Sequence, residues 1–102
     1  MLSKFNIITL FPKLIEQWLE TGIISKAYES ELFNISTTDL RDYGIGDYRQ
    51  VDDAPYGGGP GMVLMPEPID KAISSSESDI NIFLTPSGEQ LDEDLISKLH
   101  SY

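Results

Sequence analysis

The chain has 102 residues, 40% of them hydrophobic and 10% aromatic, which suits one globular domain or part of one. It has no cysteine, which excludes a disulfide framework and thiolate metal sites and fits a cytosolic setting, and it has no run of about 18 apolar residues, so no membrane span is expected. The formal net charge is −10, with residues 1–51 contributing −2 and residues 52–102 contributing −8; phosphate recognition depends on Lys and Arg, so composition alone argues against a nucleic-acid-binding module.

The opening segment is interrupted by Asn6 and Pro12 and lacks a small-residue cleavage site, so it reads as structure and not as a signal peptide. "KFNIITL" (4–10) mixes apolar and β-favouring residues and predicts a short buried strand. Pro12 suits a first helical turn, Leu14, Ile15, Trp18 and Leu19 follow at helical spacing, and Thr21-Gly22 ends that element. A second helix is predicted from Ile23 to about Ser30, with Ile23, Ile24, Ala27 and Tyr28 on one face, then a second strand over 32–38. Residues 39–61 show no sustained period and hold six glycines. Connections of about 20 residues are long for a compact domain, and are usually functional or disordered. After a brief apolar run, Met62–Met65, a helix is expected from about Pro68 to Ser75, with Ile69, Ala72 and Ile73 inward. "INIFL" (80–84) is the strongest strand signal in the chain, and "TPSGEQ" (85–90) is a turn. Asp92 is a good N-cap for a last helix, with Glu93 and Asp94 near its positive end, Leu91 and Ile96 at staple positions, and Leu95 and Leu99 extending the apolar face. The order β-α-α-β-loop-α-β-α predicts an α/β domain with a mostly parallel sheet and flanking helices.

Three stretches can carry chemistry. In "DDAPYGGGPGM" (52–62), four of the chain's eight glycines lie between Gly57 and Gly61. Met62 follows Gly61, so neither a Walker loop nor a dinucleotide fingerprint is complete. A tight multi-turn loop, a linker or a backbone-lined ligand site all fit, and Tyr56 and Met62–Met65 offer apolar anchors that disfavour a linker. "FLTPSG" (83–88) is either an ordinary strand-to-helix turn or a ligand site at a strand's carboxyl end. "RDYGIGDYRQVDD" (41–53) holds both arginines, Arg41 and Arg49, among four aspartates. Ion pairing within the loop is the plainer reading, and carboxylate or phosphate recognition the other. His100, the only histidine, sits in the last helical turn, where a cation suits the helix dipole, and has no second histidine or cysteine to join it as a metal ligand.

"ITLFPKLIEQW", "GIISKA", "LRDYG", "YRQVDDAPYGGGPGMVLMPEPI" and "IFLTPSG", in that order and spacing, resemble the amino-terminal half of bacterial tRNA (guanine-N1)-methyltransferases. The resemblance covers essentially the whole chain. Tyr43, Tyr48 and Thr85 are mild departures, standing where the family favours phenylalanine, histidine and serine. The family uses S-adenosylmethionine to methylate the guanosine just 3′ of the anticodon, and its site is a deep trefoil knot at a homodimer interface. The resemblance implies that residues 1–102 are the amino-terminal part of that domain. It places the rest of the knot, the general base and a carboxyl-terminal helical domain beyond Tyr102, with this part inactive by itself. It implies that Phe83, Leu84, Thr85, Pro86, Ser87 and Gly88 form one wall of the cofactor site. It also implies that Pro60 and Gly61 lie beside that site, that Asp52 meets the guanine edge, and that Arg41 and Arg49 shape the loop or meet the RNA. No metal is implied. It implies a cytoplasmic protein whose RNA contacts come largely from both subunits and the helical domain, which partly reconciles the acidic charge with a tRNA substrate. A non-catalytic α/β domain for dimerisation or protein contact is the alternative.

Overall fold

Ser3–Thr9 (β1) and Phe33–Asp39 (β2) pair in parallel, from Ser3 opposite Phe33 to Thr9 opposite Asp39. The computed structural model describes residues 3–55 and 57–102. Parallel neighbours need a long crossover. Here it is two helices, Pro12–Leu19 (α1) and Gly22–Glu29 (α2), close to the expected bounds. They lie on the sheet face carrying Phe5 and Phe33, where Tyr28 meets Phe33 at 6.0 Å between ring centroids and Phe5 meets it edge-on at 6.5 Å. On the other face, Ser36 and Thr38 both donate to Asn6 Oδ1 at 3.1 Å, and Asn6 Nδ2 donates to Ser76 Oγ at 3.5 Å. That last bond ties the sheet to the end of a third helix.

This helix, Pro66–Ser74 (α3), begins two residues earlier than the sequence suggests. Both Pro66 and Pro68 fall in its first turn, where no backbone N–H is needed for the helical ladder. Ala72 is fully buried, as its spacing predicts, and Pro68 is buried as well. The core is small: Leu40 (3% exposed), Val51 (2%) and Ala72 (0%), with Ile8, Leu10, Tyr43 and Ile69 packed against it. Glu93–His100 (α4) starts where expected, with the Asp92 carboxylate accepting from Leu95 N at 2.8 Å.

Two expectations need correction. The stretch 39–61 is not structureless. It contains a 3₁₀ turn at Leu40–Tyr43, a bridge between Ile45 and Gln50, and the strand Asp52–Asp53 (β3), which pairs antiparallel with Val63–Leu64 (β4). Ile80–Leu84 is not a strand. Among the described residues its backbone makes no hydrogen bond, and Phe83 and Leu84 are 75% and 89% exposed. High β-propensity describes fit to a pleated, half-buried surface, and a strand exists only against a partner. The parallel sheet therefore has two strands here.

The surface is correspondingly open. The chain exposes 8615 Å² at 11.4 kDa, against roughly 5,800 Å² for a folded monomer of that mass. Its radius of gyration is 16.0 Å, where about 13 Å is usual for this length. Leu14, Trp18 and Ile23 remain exposed on helix faces that the periodicity would bury. No helix among the described residues is long and apolar enough to cross a membrane.

Candidate functional site

The glycine-rich stretch is the tip of a hairpin. β3 and β4 frame residues 54–62, with Asp52 opposite Leu64 and Asp53 opposite Val63. The hairpin is seated from below. Val51 is buried in the core and its carbonyl accepts from Met65 N at 2.8 Å. Gly57, Gly58, Gly59 and Gly61 have φ of +85°, +91°, +114° and +84°, a region in which other residues are strained. A Cβ at any of the four would meet nothing within 4 Å. The glycines are therefore required by backbone conformation and not by tight packing, and the space above them is open to a ligand.

Asp52 and Asp53 are neighbours on one strand, so their side chains point to opposite faces. Asp53 is exposed and its Oδ1 accepts from Ala54 N at 2.7 Å. Asp52 is half-buried, and its carboxylate has no hydrogen-bond or ion-pair partner among the described residues. A carboxylate in that state is acceptor-only and available to a donor ligand.

The hairpin base is fixed by residues that sequence patterning did not single out. Gln50 Nε2 donates to the Asp52 carbonyl at 3.0 Å, while Gln50 and Ile45 exchange backbone hydrogen bonds of 2.8 and 3.0 Å. Gly44 closes this turn: a Cβ there would lie 2.3 Å from the Arg49 carbonyl carbon and oxygen. The one available signal was the pair of glycines flanking Ile45, which marks a tight turn without revealing what it approaches.

Arg49 adopts φ of +51° at the tip of this turn and pairs with Asp42 at 3.6 Å, the intra-loop pairing expected as the plainer reading. Both groups are largely exposed, so the pair contributes little to stability. Arg41 is exposed, and its backbone N–H donates to Asp39 Oδ1 at 3.0 Å, capping the 3₁₀ turn. Pro60 and Gly61 are exposed at the hairpin tip. Tyr56, expected to anchor that tip, lies outside the described residues.

Phe83–Gly88 forms the second candidate wall. Gly88 N donates to Thr85 O at 3.1 Å, closing a turn over Pro86 and Ser87, and the Thr85 and Ser87 hydroxyls lie 3.2 Å apart. All six residues are exposed. No hydrogen bond or ion pair joins this segment to the hairpin among the described residues. An open cleft of about 380 Å³ is lined by Asp53, Ala54 and the run from Val63 to Glu67. Another, of about 430 Å³, is lined by Glu89, Gln90, Asp92, Asp94, Leu95 and Lys98. Each draws on one side only. His100 sits exposed in the last turn of α4.

Comparison with known proteins gives this geometry a context. The family model described as tRNA (Guanine-1)-methyltransferase TrmD matches residues 3–102. A tRNA (guanine-N(1)-)-methyltransferase from Albidiferax ferrireducens is 40% identical over 100 residues, covering 93% of this chain and 40% of the relative. One from Prochlorococcus marinus is 47% identical over 95 residues, covering 88% of this chain and 39% of the relative. The crystal structure of tRNA (m1G37) methyltransferase from Aquifex aeolicus superposes on the whole chain with a TM-score of 0.81 at 34% identity, and 48% of that chain is covered. The chain thus spans about 40% of the length of these curated relatives.

Proposed function

The chain belongs to the tRNA (guanine-1)-methyltransferase family, whose model matches residues 3–102, and from that premise we propose that these residues supply the substrate-facing hairpin and one cofactor wall of an S-adenosylmethionine-dependent enzyme. The acceptor is N1 of the guanosine 3′ of the anticodon. Residues 1–102 form the amino-proximal part of the methyltransferase domain. The general base and the other cofactor wall belong to the portion of the relatives that the match does not reach. The working enzyme is a cytoplasmic homodimer acting on tRNA, and residues 1–102 alone are inactive.

The observation that carries this reading is the unpartnered, half-buried Asp52 carboxylate, held at the root of a glycine hairpin whose upper surface is open. A carboxylate accepts from both the N1–H and the exocyclic amine of guanine, which orients the ring edge-on. Gln50 fixes the strand that carries it. Gly61 and Pro60, beside open space, let the base approach the backbone. The chain's residues also fit the cofactor's nucleoside. The backbone groups of Phe83 and Leu84 have no partner among the described residues, and the Thr85–Gly88 turn presents two hydroxyls. S-adenosylmethionine supplies a methyl group on a sulfonium, already a good leaving group. What remains for the protein is alignment of acceptor and donor, which can contribute several kcal/mol, and removal of the N1 proton. Arg41, exposed at the base of the loop, and Arg49 are the cations nearest in sequence to Asp52, and are placed to meet RNA phosphate.

The test is a chimera in which residues 3–102 replace the matching portion of the Aquifex aeolicus enzyme. We expect transfer of a labelled methyl group from S-adenosylmethionine to a tRNA with guanosine 3′ of the anticodon. The isolated 102 residues should transfer none. A folded chimera that transfers no methyl group would sink the reading. Activity from the isolated chain would overturn the claim that it is inactive alone.

A further inference from the structure

The turn between Gly44 and Gln50 is rigidly built and presents side chains that the fold does not use. Its neck is closed by the two hydrogen bonds between Ile45 and Gln50, and its tip by Arg49 N donating to Gly46 O at 3.2 Å. Gly44 lies so close to the Arg49 carbonyl that no Cβ would fit between them. Arg49 has φ of +51°, a left-handed conformation that glycine or asparagine adopts more easily. Its guanidinium does little to offset that strain, since the pair with Asp42 is 3.6 Å long and exposed. Backbone strain that the surrounding contacts do not explain points to a function at the segment that bears it. Beside Arg49, Tyr48 is 97% exposed, more than any other large hydrophobic side chain among the described residues. A ring that packs on nothing contributes no burial energy, so what the tip offers is a bare aromatic face on a fixed support.

We propose that Tyr48 is a stacking platform for an unpaired base of the RNA substrate, within a few nucleotides of the guanosine that Asp52 orients. The inference rests on the guanine-edge reading of Asp52 and extends it to a neighbouring nucleotide. Tyr48 is four positions before Asp52, so their Cα atoms lie within about 14 Å of each other. The residues between are held, Gln50 by its bonds to Ile45 and Val51 by the core. A stacked strand rises about 3.4 Å per nucleotide, so the tip reaches a base within about four nucleotides of the target. Asp47 balances the charge of Arg49 at the tip, so charge alone gives this turn no hold on RNA and the ring must supply it. Stacking needs only a π-face, which every base has. Arg49 follows directly in the chain, and its exposed pair with Asp42 is weak enough for a phosphate on the same strand to take the place of the carboxylate. A protein partner would be met by a ring set among other apolar side chains, whereas the rest of this tip is Gly46, Asp47 and Arg49.

Tyr48→Ala, Tyr48→Leu and Tyr48→Phe in the chimera described above test it, read by tRNA binding on filters at one salt concentration, by KM and kcat for methyl transfer, and by urea melts. Tyr48→Ala and Tyr48→Leu should each weaken tRNA binding and raise KM by about tenfold, within the range of one base stack. The loss should fall on KM, with kcat changed less than about twofold, because the contact is made equally before and during the reaction. Tyr48→Phe should bind like the parent, since the ring stacks and the hydroxyl does not. No variant should shift the melt, because the side chain is exposed. Unchanged tRNA binding in Tyr48→Ala overturns the proposal and leaves the ring to a protein partner. Leucine that serves as well as phenylalanine also overturns it, since bulk and not a π-face would then be enough. The two readings fail separately. A folded chimera that binds tRNA through Tyr48 yet transfers no methyl group sinks the methyl-transfer reading alone, and full transfer that is indifferent to Tyr48 sinks the stacking alone. A folded chimera without affinity for tRNA overturns both.

Discussion

Replacing Gly44 by alanine isolates the turn that seats the Asp52 strand. The added Cβ would lie 2.3 Å from the carbonyl carbon and oxygen of Arg49, backbone atoms that cannot swing away as a side-chain end would. Reaching an ordinary contact of about 3.4 Å means moving the two backbones apart by about 1 Å, a form of overpacking that typically costs about 1–3 kcal/mol. The movement also stretches the 2.8 and 3.0 Å hydrogen bonds between Ile45 and Gln50, each contributing about 1 kcal/mol net. We therefore expect Gly44→Ala to destabilise the chain by about 2–4 kcal/mol, a large share of the stability of a domain this size. In urea melts followed by circular dichroism, a slope of about 1–2 kcal/mol/M turns that into a midpoint shift of about 2 M. Gly46→Ala is the internal control. Gly46 has φ of +75° with nothing within 4 Å of its Cβ position, so the change should cost only the left-handed penalty of about 1–2 kcal/mol. If Gly44→Ala proves no more costly than Gly46→Ala, the close approach is not what shapes this turn, and the account of how Asp52 is positioned fails with it.

In the chimera, Asp52→Ala should lower kcat/KM for tRNA methylation by about 10²–10³, the usual loss for one charge-assisted contact made to the reacting group. Asp53→Ala, on the opposite face, should change it less than about threefold; equal effects would remove the guanine-edge assignment. Asp92→Ala should cost about 1 kcal/mol, visible as faster hydrogen exchange confined to α4, because it deletes the 2.8 Å cap to Leu95 N. Val51→Ala removes two methyl groups from a fully buried position and should destabilise by about 2 kcal/mol in denaturant melts. Arg49→Ala should shift the melt by less than about 0.5 kcal/mol, because its pair with Asp42 is exposed; a larger shift would mean the pair is held more rigidly than its exposure implies.

The parts legible in sequence are those set by local chemistry. Pro12 marks a helix start because its missing N–H is not needed there, and Asp92 is a cap because its carboxylate reaches an N–H three residues on. Ala72 points inward because its spacing places it on the apolar face of α3. The hairpin was not legible, since β3 and β4 are two residues each and are held in place by Val51 packing under α3 and by Met65 bonding back to Val51. Those are tertiary facts with no local pattern. Nor could the sequence show that Gly44 serves a backbone contact five residues away, or that Gln50 braces Asp52. Ile80–Leu84 misleads for the opposite reason: its local signal is strong, but a strand is a property of two segments, and none pairs with it among the described residues.

The two candidate walls therefore differ in how firmly they are held, and that difference bears on cofactor binding. The hairpin wall is anchored by the core through Val51 and by the Gln50 and Met65 hydrogen bonds. The Phe83–Gly88 wall has one backbone bond of its own and makes no hydrogen bond or ion pair to the hairpin among the described residues. Segments with few contacts and unpaired backbone occupy the low-stability end of a protein. Fixing such a segment costs about 1–2 kcal/mol per residue, so ordering about six residues consumes about as much free energy as a micromolar ligand supplies, about 8 kcal/mol. S-adenosylhomocysteine should consequently bind the 102-residue chain weakly or undetectably in calorimetry, while the chimera, in which this segment gains neighbours, binds it at micromolar concentrations. Tight binding by the isolated chain would mean that the Phe83–Gly88 wall is already held in place within residues 1–102, and would contradict the ordering cost assigned to it here.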